Sequence, residues 1–257
     1  MIVLKSEVEI EALKVSCKLA AQTLVMIEKF VRPGVSTLEL NDICHDFIVS
    51  AGAIPAPLNY KGFPKSICTS VNEVVCHGIP NAQQLLKDGD IINIDVTTIV
   101  DGFHGDTSRT FFVGENISQV AKRLVGKTQE CMFKGIDAVR AGGRVGDIGF
   151  AIQSYAHAHG YSVVKDFVGH GIGRVFHEDP QIAHYGEAGK GARLEPGMTF
   201  TIEPMINVGD WRIKVLRDGW TAVTLDRSLS AQFEHTIAIR ENGSVEILTL
   251  LGNFQSK

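Results

Sequence analysis

Several features are missing from this sequence, and each absence narrows what the chain can be. Its five cysteines (Cys17, Cys44, Cys68, Cys76 and Cys131) contain no C-x-x-C pair and are odd in number, which excludes a zinc ribbon and argues against a disulfide framework. They read as reduced, buried thiols. No run of about 18 apolar residues occurs, so no helix is expected to span a bilayer. The apolar start before Lys5 is too short for a signal-peptide core. A soluble, cytoplasmic protein is expected. Charge of one sign is also lacking: 25 Lys plus Arg stand against 29 Asp plus Glu, a net charge of -4, with no basic block to bind nucleic acid. The motifs H-E-x-x-H, G-x-S-x-G and G-x-x-x-x-G-K-[ST] are absent. Gly169-x-Gly171-x-Gly173 has the outline of a phosphate loop without the full fingerprint.

What is present is a globular composition. The chain has 257 residues, 44% hydrophobic and 21% charged, enough for a real core and read as one domain over 1–257. Ser6-Glu-Val-Glu9 is a capping box, and helical spacing of Ile10, Leu13, Leu24 and Ile27 carries a first helix to about Phe30. Arg32-Pro-Gly-Val35 breaks it, and Ser36-Thr-Leu-Glu39 opens a second helix running toward Ala51-Gly52. The pattern then returns. Residues 119–139 are amphipathic, Arg140-Ala-Gly-Gly143 breaks them, and Asp147 starts a helix that fades at His159-Gly160.

After each helix pair comes an apolar strand with a carboxylate, an Asp-Gly turn, and a strand with a second carboxylate. The first copy is 91–114, with Asp95 and Asp106 around Asp101-Gly102. The second has Glu203 in 198–206, the turn Asp218-Gly219, and Glu234 in 229–243. Identity between the copies is thin, and chance likeness of two α+β halves is the other reading. A true repeat, with halves of about 1–114 and 115–250, predicts a pseudo-twofold α+β fold whose central antiparallel sheet is covered by helices.

A two-residue hairpin at Asp101-Gly102 places Asp106 opposite Thr97, with Asp95 two positions along on the same face. A solvated acidic face is the plain alternative. It fits poorly, because Asp95 and Glu203 are embedded in apolar strands where an unpaired carboxylate costs several kcal/mol. Arg109 and Arg212 could neutralise one acid each. Two divalent cations balance Asp95, Asp106, Glu203 and Glu234 better, with His170 among its glycines as a nitrogen donor. A lone histidine is otherwise commonly a surface or satisfied core residue. Carboxylate-rich sites with one nitrogen ligand favour Mn, Fe(II) or Co, and paired ions polarise a carbonyl or phosphoryl oxygen.

At these residues the chain resembles a known family. NEVVCHGIP (72–80), NIDVTTIVDGFHGDTSRTF (93–111), GHGIGRVFHEDP (169–180), GMTFTIEPM (197–205) and SLSAQFEHT (228–236) are similar, in order, to the type I methionine aminopeptidases of the short bacterial form, over roughly 3–250. The resemblance implies the pita-bread fold and co-translational removal of initiator methionine, before a small second residue, by hydroxide held between two divalent metals (Co, Mn, Fe(II) or Zn). It implies that Asp95 chelates one metal, that Asp106 and Glu234 bridge both, and that His170 and Glu203 complete the other, with Glu203 shuttling protons. His77 and His177 contact substrate without binding metal. Tyr60, Phe63, Cys68, Phe176 and Trp220, with His77, map onto the methionine pocket, although an aromatic set is more often core. Pro57 departs from the family, where many relatives carry cysteine. Asn72, Val74 and Ser230 match a monovalent-cation site. Nascent N-termini and transient ribosome contact are the implied partners, with no DNA or membrane and a monomer expected. A prolidase or Pro-specific aminopeptidase, or a metal-free binding relative, would share the fold.

Overall fold

A computed structural model describes residues 1–251. In chain order it contains α1 (Glu7–Ile27), α2 (Thr37–Ser50), β1 (Ile54–Pro55), β2 (Cys68–Val71), β3 (Val74–Cys76), β4 (Ile91–Val100) and β5 (Phe103–Phe112). Then come α3 (Gln119–Asp137), α4 (Val145–Ala158), β6 (Ser162–Val163), β7 (Gly169–Gly171), β8 (Glu178–Ile182), β9 (Thr199–Ile202) and β10 (Met205–Asn207). The chain continues through β11 (Ile213–Val215), β12 (Ala222–Thr224), β13 (Ser230–Gln232), β14 (Glu234–Ile239) and β15 (Val245–Ile247). Among the described residues no helix is long and apolar enough to cross a membrane.

Local chemistry sets the helix ends as the sequence predicts. Ser6 and Glu9 form the reciprocal capping box of α1, which ends in a 3-10 turn at Glu28–Phe30. The Ser36 hydroxyl accepts from the Glu39 amide at the start of α2. The fourth helix begins two residues before Asp147, because the Asp147 carboxylate reaches back to the Arg144 amide at 2.8 Å and so serves as an internal cap.

The main sheet is antiparallel throughout, with the path β1-β4-β5-β14-β9-β7-β8. Its first hairpin closes at Asp101 (φ 50) and Gly102 (φ 78), the left-handed pair a two-residue turn requires, and the register is the expected one, Thr97 opposite Asp106. The second half differs. β9 and β14 pair directly, but Asp218-Gly219 joins the short hairpin β11–β12, which leaves the main sheet to pair with β3. An Asp-Gly turn closes whichever strands flank it, so the order of motifs predicts the turn correctly and its partners wrongly. At the centre, β5 meets β14 with Ser108 opposite Glu234, which brings the acidic strands of the two copies side by side.

Helices cover one face. Ile92, Ile94 and Val96 of β4 pack with Leu24, Ile27, Leu40 and Ile48 of α1 and α2, whereas Phe200, Ile202 and Ile237 pack with Leu124, Met132, Ile148 and Ile152 of α3 and α4. The two-residue period of a strand then sends Asn93, Asp95 and Thr97 to the opposite face. α1 is pinned to β4 by Ser16 Oγ donating to the Thr98 carbonyl at 2.7 Å and Thr98 Oγ1 donating to the Ser16 carbonyl at 3.0 Å. It lies so close to β5 that a Cβ on Gly105, next to Asp106, would fall 2.2 Å from the Cys17 nitrogen. Gly126, in the middle of α3, has nothing within 4 Å of such an atom. Gly105→Ala is therefore expected to lower stability by about 3 kcal/mol or more, and Gly126→Ala to raise it by about 0.5–1 kcal/mol. Urea denaturation midpoints check both; a wild-type midpoint for Gly105→Ala would contradict this packing.

Candidate active site

On the face of the sheet away from the helices, side chains from five segments converge. β4 supplies Asp95, β5 Asp106, β14 Glu234 and β7 His170, while Glu203 sits just past the end of β9. Asp106 and Glu234 are buried, and each is anchored by threonines: Thr97 Oγ1 donates to Asp106 Oδ1 at 2.7 Å, and Thr107 Oγ1 donates to the Glu234 carbonyl at 2.7 Å. Glu203 is held at both oxygens, by Thr201 Oγ1 at 2.7 Å and Gln232 Nε2 at 3.3 Å. Its amide donates to Nε2 of the buried His184 at 3.1 Å.

Burial and mutual repulsion dominate the electrostatics. Burial pushes the Asp95 carboxyl up to about 7 and that of Glu203 up to about 8. Asp106 and Glu234 are also raised well above the carboxylate range, by burial and then by the neighbouring acids. Burial lowers His170 to about 4, so its ring is neutral at pH 7. With Nδ1 donating to the Gly171 carbonyl at 2.9 Å, the Nε2 lone pair faces Asp106 at 3.7 Å and Glu203 at 3.6 Å, too far for hydrogen bonds. One donor atom each of Asp106, His170 and Glu234 lie within 4.8 Å of one another. Lone pairs directed at one another in a buried space fit a divalent cation, and carboxylate oxygens with one imidazole suit Mn, Fe(II) or Co. The arginines considered as counterions are engaged elsewhere, Arg109 with Glu28 and Arg212 with Asp210, and neither lines the cavity.

These acids lie in a cavity of about 310 Å³ that is also lined by the two histidines and the methionine-pocket residues that the sequence singles out, His77, His177, Tyr60, Phe63, Cys68, Phe176 and Trp220, together with Pro57. On one wall Tyr60 and Phe176 lie 4.8 Å apart, and His177 Nδ1 meets the Tyr60 hydroxyl at 2.9 Å. Neighbouring protein atoms and His170 push His177 below its ordinary pKa, although one side of the ring is open to the cavity. On the other wall Phe63 and Trp220 meet edge to face at 5.2 Å, and His77 meets Phe167 at 5.1 Å. His77 takes a left-handed backbone (φ 56), a conformation that is costly for a residue with a Cβ and is commonly found at functional sites. Burial lowers its pKa as well.

Residues that sequence reading missed complete the walls: Lys61, Cys76, Thr97, Asp166, Phe167, Val168, Met205 and Gln232. Thr97 could have been found, since it stands two positions from Asp95 on β4; Gln232 ends β13, and a break at Phe233 separates it from Glu234 of β14. His184 carries no such signal. Outside the cavity, Asn72 and Ser230 meet through the Ser230 amide and the Asn72 carbonyl at 2.9 Å, and the buried Ser230 hydroxyl has no hydrogen-bond partner among the described residues.

Known proteins are similar to this chain in sequence and in fold. A methionine aminopeptidase A of Synechocystis is 62% identical over 249 residues, covering 97% of this chain and 98% of its own. The crystal structure of methionine aminopeptidase from Rickettsia prowazekii superposes with a TM-score of 0.95 at 56% identity, covering 97% of this chain and 100% of that one. An Xaa-Pro dipeptidase from Bacillus anthracis shares the fold alone, at 24% identity and a TM-score of 0.74, with 96% of this chain matching 61% of that one. The fold is the pita-bread arrangement that the resemblance implied. The profile of metallopeptidase family M24 spans residues 11–241, and with the buried acids and His170 inside that span the chain belongs to this family.

Proposed function

We propose that the chain removes the N-terminal methionine from polypeptides whose second residue is small. The observation that carries this reading is that five metal-type donors, two histidines and an apolar wall line one cavity. Asp95, Asp106, His170, Glu203 and Glu234 would hold two divalent ions. Asp106 is hydrogen-bonded to Asp95 and lies near His170 and the buried Glu234, so Asp106 and Glu234 would be the donors within reach of more than one ion. Bound there, divalent cations would polarise the scissile carbonyl and make water acidic at neutral pH. Asp95 and Asp106 come from about 1–114 and the other donors from about 115–250, so both halves of one chain build the site and a monomer suffices. The Asn72 and Ser230 carbonyls, with Val74, are a candidate monovalent-cation site.

The chain's own residues do the rest. Tyr60, Phe63, Cys68, Phe176 and Trp220 accept an unbranched thioether and offer no charge to a Lys or Arg side chain. Glu203, fixed by Thr201 and Gln232, takes a proton from the attacking water and returns it to the leaving amine, so that the first C–N bond breaks and free methionine is released. His177, its Nδ1 hydrogen-bonded to the Tyr60 hydroxyl, would act from Nε2 as donor to the oxygen that gains charge, which requires Tyr60 to be the donor to Nδ1. His77 contacts the substrate from the opposite wall. Nascent chains leaving the ribosome in the cytoplasm are the natural substrates. An Xaa-Pro specificity has only fold-level likeness behind it, and intact donors argue against a metal-free binding role.

Two outcomes are expected. Purified enzyme should cleave Met-X-Ser peptides fastest for X of Gly, Ala, Ser or Thr, fail on Lys-Ala-Ser, and lose activity to a chelator, with Mn, Fe(II) or Co restoring it. Equal rates from Gly to Trp at X would contradict the assignment. The second outcome concerns the metal-free protein. Because folding raises Asp95 to about 7 and Glu203 to about 8 from ordinary values near 4, their contribution to stability is complete below about pH 4 and is lost as pH rises through 7 to 8. Up to about pH 6.5 the buried, neutral His170, His177, His184 and His235 oppose this loss, because only the unfolded chain's histidines give up protons there. The Tm of chelated protein should therefore fall by about 2 °C or more between pH 7 and pH 9, and added Mn should reduce that fall. A flat or rising Tm without metal would contradict the proposed electrostatics.

A further inference from the structure

The loop between β7 and β8 carries His177, and its anchoring points to a residue far away in sequence. Among the described residues the His177 ring has one hydrogen bond, to Tyr60, and packs against the rings of Tyr60, His170 and Phe176, so where it can sit is set by the backbone of residues 172–178 together with those rings. That backbone is tied at one end by the His104 amide donating to the Gly173 carbonyl at 2.8 Å and by the Ile172 amide donating to the Thr199 carbonyl at 3.0 Å. At the other end stands Glu178, next to His177. One oxygen of Glu178 accepts from the Val175 amide at 3.2 Å, and the other accepts from Lys5 Nζ. The two side chains of this ion pair are only 4% and 8% exposed. Lys5 is itself fixed: its amide donates to the Gly197 carbonyl at 2.7 Å and its Nζ donates to the Val3 carbonyl at 3.0 Å. Gly173 accounts for the third glycine of Gly169-x-Gly171-x-Gly173, since a Cβ there would fall 2.6 Å from Lys5 Cε and 2.8 Å from Glu178 Oε1. The loop is shaped around the lysine.

A sealed ion pair is a weak device for stability, because desolvation offsets most of the attraction, and its best-attested use is to fix one arrangement over others. We propose that Lys5 is a positioning residue, holding His177 in place for the reaction through its buried ion pair with Glu178. This rests on the role given above to His177.

The test is a double-mutant cycle on metal-loaded enzyme, with kcat and KM measured on Met-Ala-Ser and metal content by atomic emission. Lys5→Met should lower kcat by about tenfold, as misplacement of an aligned group does, with KM within about twofold and metal content unchanged. In a His177→Ala background the same change should lower kcat by less than about twofold, because the group through which Lys5 acts is gone. If Lys5→Met does not fold, Lys5→Met with Glu178→Gln leaves no charge unpaired and takes its place in the cycle with the same expectations. A kcat within twofold of wild type, losses that multiply across the two sites, or loss of metal from the Lys5 variant would each overturn the inference. Full activity of His177→Ala alone would instead overturn the role of His177, and the inference with it.

Discussion

Four carboxylates share one buried face of a sheet, and most of the structure can be understood as the means of holding them there. Like charges at this separation, out of water, repel one another and raise their own pKa values, as Asp95, Asp106, Glu203 and Glu234 do. Metal-free, the cluster keeps protons; on the proposed binding of cations it would give them up. The neutral His170, its lone pair turned toward the acids by the Gly171 carbonyl, makes sense only in the second case. Thr97, Thr201 and Gln232 supply donors that orient the carboxylates without neutralising them, which leaves the charge available to an ion.

Such a cluster needs rigid walls, and the pairing of the hairpin β4–β5 with the strand pair β9–β14, at β5 and β14, provides them. Both strands are central and covered by helices, so the acids project from the least deformable part of the molecule. The groups proposed to face substrate have a different origin. His77 ends β3 in a left-handed conformation, His177 sits in a loop, and Tyr60 lies in a short 3-10 turn. Four of the five metal-type donors thus stand on strands, whereas most of the groups proposed for recognition stand on loops and turns.

The parts legible in the sequence were those with local causes. Asp101-Gly102 fixed the hairpin register and with it the shared face of Asp95 and Asp106, and the capping serines fixed the starts of α1 and α2. The motif strings brought His77, His177 and the aromatic wall together by resemblance, something no periodicity could do. Three things were hidden. Asp218-Gly219 announced a turn without saying which strands it closed. His184 reaches the Glu203 amide from 19 residues away, and Lys5 reaches Glu178 across 173, contacts set by tertiary packing alone. The break between β9 and β10 that carries Glu203, by contrast, is marked by Pro204, which has no amide to give to a ladder.

The central claim is that the acid cluster exists to bind divalent ions and surrenders its protons to them. Calorimetric titration of chelated protein with Mn at pH 7, repeated in buffers of different ionisation enthalpy, measures ion stoichiometry and proton release together. Two ions per chain with net release of protons is the predicted result, reduced in Asp106→Asn and Glu234→Gln. Absence of binding, or binding with no proton release and unaltered in those variants, would contradict it.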